Sequence, residues 1–264
     1  MRRIRFSGLV VLVMLIGALL SSSFYAAKVE AAAQVSIVST NGFFDPSSAH
    51  YHILGEVQNI GDTALEDVKI SATFYTSNGT VIGTSFSMSW VEVLLVGRKS
   101  PFEITLLEPT PLEVDHYSLN VTYAPATPPP MGLEILWHSS HINETAGIRF
   151  LYIDGEVKNI GTEPTWHIDV IATYYDETGN IADVANSMHH ARSQLEAGQK
   201  TQFSVPTWGE KIETVASYEL TVESIHYSEK KDTKDTEFDF YLVLLLFLLT
   251  ITFAFFFLKR ILAK

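Results

Sequence analysis

The chain has 264 residues, 47% of them hydrophobic, a formal net charge of −12 and no cysteine. Its length accommodates two ordinary domains. The lack of cysteine excludes disulfides, thiolate metal sites, type-1 copper and cysteine nucleophiles, so stability must come from apolar cores.

At the N-terminus, Arg2, Arg3 and Arg5 precede an apolar run from Leu9 to Leu20, and a Ser/Ala-rich stretch closes on Ala31-Ala32-Ala33. Basic, apolar and small-residue regions in that order predict a secretory signal peptide over residues 1–33, with retention as an anchor left open. The apolar run is short for a spanning helix. The body that follows is acidic: residues 34–239 hold 29 Asp and Glu against 11 Lys and Arg, a net of −18. Such a surface disfavours nucleic acid and anionic lipid.

Within this body one segment occurs twice, as GEVQNIG at 55–61 and GEVKNIG at 155–161. The match extends to ISATFYTSNGTVIG at 70–83 against VIATYYDETGNIAD at 170–183. It continues with VGRKSPF at 96–102 against AGQKTQF at 197–203, and YSLNV at 117–121 against YELTV at 218–222. A period near one hundred residues exceeds that of ordinary solenoid repeats and predicts two tandem domains, 34–124 and 133–227.

In the first copy Val68, Ile70, Ala72 and Phe74 alternate with Lys69, Ser71, Thr73 and Tyr75; in the second, Ile168, Val170, Ala172 and Tyr174 keep the same parity. This period of two, rich in Val, Ile, Thr and Tyr, predicts strands with one face on a core. Ile171 interrupts the alternation and points to a neighbouring element. Asn78-Gly79 and Thr178-Gly179-Asn180 read as hairpin turns, and Gly97 and Gly198 precede strands that carry Phe102 and Phe203 inward. Short strands at this spacing predict an all-β fold of two tandem immunoglobulin-like antiparallel β-sandwiches. GEVxNIG then reads as the end of a core strand and its turn, with Val57 and Val157 buried and Asn59, Gly61, Asn159 and Gly161 shaping the turn. Glu56 and Glu156 fall on the opposite parity, hence outward and in separate domains, without the acid-base partner that paired-acid chemistry requires.

The series Gly155, Val157, Asn159, Gly161, then Tyr174-Tyr175-Asp176, Gly179, and finally Leu195, Gly198 and Phe203 resembles the FxLYD family. Ala172 and Tyr174 replace the Phe and Leu of the family name, and the first copy has Thr76 for the acid. The resemblance covers most of both repeats. It implies a non-catalytic, extracytoplasmic immunoglobulin-like module, often tethered to a membrane.

Between the copies, PATPPPMG at 125–132 reads as a stiff spacer that holds the domains apart. Residues 228–238 read as a charged stalk. Phe240–Leu258 then runs nineteen residues without a charge, preceded by Glu237 and Asp239 and followed by Lys259, Arg260 and Lys264. This predicts a transmembrane helix over 240–258, a cytoplasmic tail over 259–264 and a body on the outside of the cell membrane.

Chemistry is sparse. The pairs His50/His52, His138/His141 and His189/His190 lack a third convergent ligand at a recognised spacing, so no metal and no cofactor is expected. Asp176–Asn180 looks like the start of a calcium loop, but Ser187 stands where the closing Glu would be, and a hairpin turn fits better. No nucleophile elbow, zinc-protease helix or phosphate loop occurs, so no enzyme activity is expected. Asn78, Asn120 and Asn143 head N-x-[ST] sequons and are candidate glycosylation sites. Tyr75 and Tyr175 share the outward parity before each hairpin and, with the four tryptophans, are candidate surface contacts, with aromatic packing the competing reading. The expected function is binding or scaffolding of an envelope protein or glycan. The alternative is a structural accessory subunit of a membrane complex, associated through Phe240–Leu258.

Overall fold

The computed structural model describes residues 34–107, 113–187 and 194–230. The expected signal segment, most of the charged stalk and the apolar segment 240–258 lie outside these residues. Among the described residues no helix is long and apolar enough to cross a membrane.

The protein is all-β. Its first half consists of β1 (Val35–Asp45), β2 (His50–Asn59), β3 (Leu65–Tyr75), β4 (Val81–Met88), β5 (Lys99–Leu106) and β6 (His116–Pro125). These form two antiparallel three-stranded sheets, ordered β1-β2-β5 and β4-β3-β6. Ile53 and Val57 from the first sheet meet Ile70, Ala72 and Phe74 from the second, with Phe102 and Ile104, in one buried core. The alternation of β3 is realised: Val68, Ile70, Ala72 and Phe74 are buried, whereas the residues between them are part-exposed.

The second half repeats the plan with β7 (Met131–Thr145), β8 (Ile148–Asn159), β9 (Asp169–Tyr175), β10 (Ile181–Asn186), β11 (Lys200–Trp208) and β12 (Ser217–Glu223). A two-residue strand, β13 (Ser228–Glu229), pairs antiparallel with β12 and parallel with β7. It joins the two sheets into one curled seven-stranded half-barrel, ordered β10-β9-β12-β13-β7-β8-β11. Ser228 is 2% exposed, so the segment expected to open the stalk begins as a strand. Tyr227, just before it, explains two glycines: a Cβ on Gly132 or Gly161 would lie 2.2 or 2.3 Å from its ring.

The repeated motif has a packing reason. Gly55 sits across from Phe102 on the neighbouring strand, and Gly155 across from Phe203. A Cβ at either glycine would come within 2.1 or 2.3 Å of the ring, so each phenylalanine lies over its glycine. The asparagine does a second job. Asn59 Nδ2 donates to the carbonyls of Thr63 (2.7 Å) and Leu94 (2.9 Å), and its Oδ1 accepts from Gly61 N–H. Asn159 repeats this with Glu163, Leu195 and Gly161. Both asparagines are fully buried and clamp the turn to the next loop. Glycines at positive φ close the expected turns: Gly79 and Gly179 in the hairpins, Gly97 and Gly198 before β5 and β11.

The spacer does not hold the halves apart. Ala126 N–H donates to Ala64 of the first sandwich, and Pro130 accepts from Ser228 of the second. Only residues 127–129 lie between these anchor points, too few for separation. The outer face of β9 is therefore covered: Ile171, Thr173 and Tyr175 are 1%, 4% and 9% exposed, although they point away from their own core. Beside it, Leu54 of β2 packs with Ile181 and Val184 of β10 and with Phe43 and Trp90 in a cluster shared by both halves.

Asn59→Ala and Asn159→Ala each leave two carbonyls and an amide without their partner, and each is expected to lower stability by about 2–4 kcal/mol. Urea denaturation of both variants beside the unaltered chain measures it.

Candidate functional site

The joint between the sandwiches is built around a carboxylate. Glu56 points away from its own core, as parity requires, yet it is 2% exposed because the second sandwich covers it. Tyr175 Oη donates to Glu56 Oε1 at 2.7 Å, and Lys99 Nζ lies 3.3 Å from Oε2. The same phenol lies 3.3 Å from Glu219 Oε2, and Lys99 is 3.6 Å from that oxygen. Burial, then the bond to Glu56, raises the Tyr175 pKa far above its ordinary value, so it stays a donor. Glu156 and Lys200 form the corresponding pair in the second sandwich at 3.0 Å, but there Glu156 is part-exposed and Lys200 exposed.

A second set of charges closes the joint lower down. Glu92 N–H donates to Glu223 Oε1 at 2.9 Å, and Arg98 Nη2 lies 3.3 Å from Glu229 Oε2. Arg98 is 5% exposed. Burial pushes the Glu223 carboxyl up to about 7; Glu92 and Asp169 add to this, while the Glu92 N–H and Arg98 oppose it.

Beside the joint an open cleft of about 800 Å³ is lined from both halves. The first sandwich contributes Phe43, Phe44, Asp45 and Trp90; the second contributes Asp183–Asn186 on β10, Pro206–Trp208 on β11, and Lys211. Its position follows from topology. β10 and β11 are the two outer strands of the half-barrel, and the cleft lies over the seam between them. Asp183, 8% exposed, accepts a short hydrogen bond from Thr207 Oγ1 across that seam. Lys211 Nζ lies 3.5 Å from Asp183 and 4.4 Å from the centre of the Phe43 ring, a cation–π contact between the halves. At the rim, Ser47 donates to Asp45 from its hydroxyl and its backbone N–H, holding that carboxyl down at about 2. A smaller groove, about 630 Å³, runs past His138, His141 and Tyr218 of the second sandwich.

The residues singled out in the sequence fall in different places. Tyr175 is in the joint, its exposed area reduced by the first sandwich. Tyr75, at the equivalent position, stacks on His116 with ring centres 5.0 Å apart and bonds Ser118. Asn78 is at the exposed β3–β4 tip, where its Oδ1 accepts from Thr76 and Thr80; Asn120 on β6 and Asn143 on β7 are exposed. Asp176 caps its hairpin by accepting from Thr178 and Asn180, which lowers its pKa. His50 and His52 are 6.3 Å apart by ring centre, and His52 bonds Glu103. His138 bonds Tyr218, and His141 lies 3.4 Å from Asp154. His189 and His190 are outside the described residues. Among the described residues, no three His, Asp or Glu side chains converge as a metal site would require.

The cleft itself was not legible as a site. Trp90 and Trp208 are two of the four tryptophans in the sequence, but Asp183 and Lys211 carry no motif. One signal was present: Asp183 and Val184 stand where the first copy has Gly83 and Thr84, a departure between otherwise matching segments.

No protein-family model matches the chain, and no curated protein does. Solved structures give distant partial likenesses. Bacteroides uniformis β-glucuronidase 2 is 14% identical over 75% of this chain and 31% of its own, with a TM-score of 0.27. Amycolatopsis orientalis exo-chitosanase CsxA is 11% identical over 72% of this chain and 26% of its own, with a TM-score of 0.24. Red sea bream transglutaminase is 10% identical over 74% and 29%, with a TM-score of 0.23. The chain thus spans less than a third of the length of each.

Tyr175→Phe removes the hydroxyl that bonds a buried carboxylate and is expected to destabilise the chain by about 1.5–3 kcal/mol. Tyr75→Phe, on an open face, is expected to change stability by less than about 0.5 kcal/mol. Thermal melts of the pair test the joint directly. Glu223 adds a pH dependence. Its pKa, raised from 4.5 to about 7, means the folded chain holds this proton more tightly than the unfolded one. Its stabilising contribution is full below 4.5 and is lost as pH rises through about 7. Melting temperature is expected to fall across that window, and Glu223→Gln to flatten the fall.

Proposed function

We propose that this is a non-catalytic surface protein of the cell membrane. Its two immunoglobulin-like sandwiches, docked as one body outside the cell, bind or scaffold an envelope protein or glycan. The observation that carries the reading is the cleft: both halves contribute aromatic and charged side chains to one concave surface, as binding sites commonly do. The carboxylates there are already engaged, Asp183 by Thr207 and Lys211 and Asp45 by Ser47, an arrangement suited to orienting a ligand more than to transferring protons. The basic-then-apolar N-terminus and the uncharged run Phe240–Leu258 support export and anchoring, with the C-terminus cytoplasmic. The FxLYD resemblance supports an extracytoplasmic module without cofactors.

A structural accessory subunit, held in a larger complex through Phe240–Leu258, is the second reading. The nineteen uncharged residues of that segment suit a spanning helix, whether it tethers the body or packs against other helices. The test is to purify the tagged full-length protein from gently solubilised native membranes and identify what accompanies it. A partner or wall glycan that is lost when cleft residues are changed supports the binder. A stoichiometric membrane protein that is lost only when 240–258 is replaced by an unrelated anchor supports the subunit. Recovery of the protein alone under crosslinking counts against both.

A further inference from the structure

We propose that the cleft between the sandwiches is a saccharide site for a short run of sugar units that carry no acid groups; this deepens, and rests on, the reading that the cleft is where the protein binds. A sugar ring has an apolar C–H face and a rim of hydroxyls. It is recognised by a flat aromatic surface together with a few fixed polar groups.

The cleft supplies both. Trp208 ends β11 with 53% of its surface exposed, although it lines a concavity and is not on a flat face. Its ring leans on Phe150, with ring centres 6.3 Å apart, which limits its orientation. Across the cleft, Phe43 and Trp90 are fixed by the shared apolar cluster, so this wall is formed in advance. The polar groups are fixed as well. Asp183 is held by Thr207 and Lys211, and Lys211 is held over Phe43. A carboxylate accepts from sugar hydroxyls and an ammonium donates to them.

The charges narrow the class. Among the described residues Asp183 offsets the one ammonium that lines the cleft, and Asp45 at the rim remains ionised at neutral pH, so this lining is negative on balance. Uronic acids and sialic acids meet repulsion there, whereas neutral or amine-bearing sugars do not.

An extended peptide is the competing occupant, since β10 and β11 are the outer strands of the sheet. Those edges are bridged by the side-chain bond between Asp183 and Thr207, with Lys211 beside it, where an added strand would have to lie. A ligand that bonds side chains fits this seam better than one that must pair with backbone.

The experiment is calorimetric titration of the full chain, held in a sugar-free zwitterionic detergent, with cellotetraose, glucosamine tetraose and tetragalacturonate. Saturable binding of the neutral or the amine probe is expected, with tetragalacturonate weaker. Trp208→Ala, at an exposed position and with its fold checked by circular dichroism, is expected to weaken it by at least about tenfold. Trp137→Ala, comparably exposed at 46% but not among the residues lining the cleft, is expected to leave it unchanged. Absence of saturable heat with both non-acidic probes, equal binding by Trp208→Ala, or preference for tetragalacturonate would overturn the assignment. A co-purified protein lost on Trp208→Ala without any saccharide heat overturns the sugar and leaves the cleft as a binding site. Loss of neither partner nor heat on Trp208→Ala removes the cleft reading too.

Discussion

A carboxylate buried between two domains is costly unless it is paired, and Glu56 is paired by one hydrogen bond and one opposite charge. Its two oxygens face Tyr175 and Lys99, one from each half of the chain. The requirement works as a positional constraint. Sliding one sandwich over the other would strand Glu56 without Tyr175, so the apolar cluster around Leu54 gives attraction while the carboxylate gives register. The spacer acts with it, since three residues between anchored ends leave little range for other arrangements. The cleft exists because of this register: Phe43 and Trp90 face Trp208 and Lys211 only when the halves are docked.

The docking joins unlike faces. The first sandwich offers its β2 face and the second its β9–β10 face, a heterologous contact that could in principle continue from chain to chain. The sequence blunts that continuation. Leu54, buried in the joint, corresponds to Asp154 on the free β8 face, and Ile171 and Val184 correspond to Ser71 and Thr84 on the free β3–β4 face. The module keeps its internal ion pair in both copies, as Glu56–Lys99 and Glu156–Lys200, but only one copy is covered. Terminal repeats of stacked arrays turn polar for the same reason.

Function, on this reading, belongs to the pair and not to either module. Each sandwich alone has strand faces of mixed polarity, and neither holds an aromatic wall opposite a charged one. Charged groups in the joint also link the body to its surroundings, because Glu223 changes its protonation near neutrality where the halves meet.

The sequence by itself determined the module. Period-two alternation, the glycines at the hairpins and the GEVxNIG repeat gave the strands, the turns and the core residues, because strand parity and positive φ are local properties. Even the asparagine clamp was legible as turn chemistry, though its bonds to Leu94 and Leu195 needed the fold. The uncharged run 240–258 is likewise a property of sequence alone. Only the tertiary structure decided what lies against the other side of each strand. Parity placed Glu56, Ile171 and Tyr175 outward correctly, yet outward from one core was inward to a joint. Burial of that second face depends on which surfaces meet across a hundred residues of chain, and no local period encodes it; the convergence of Trp90, Asp183, Trp208 and Lys211 was decided at the same level.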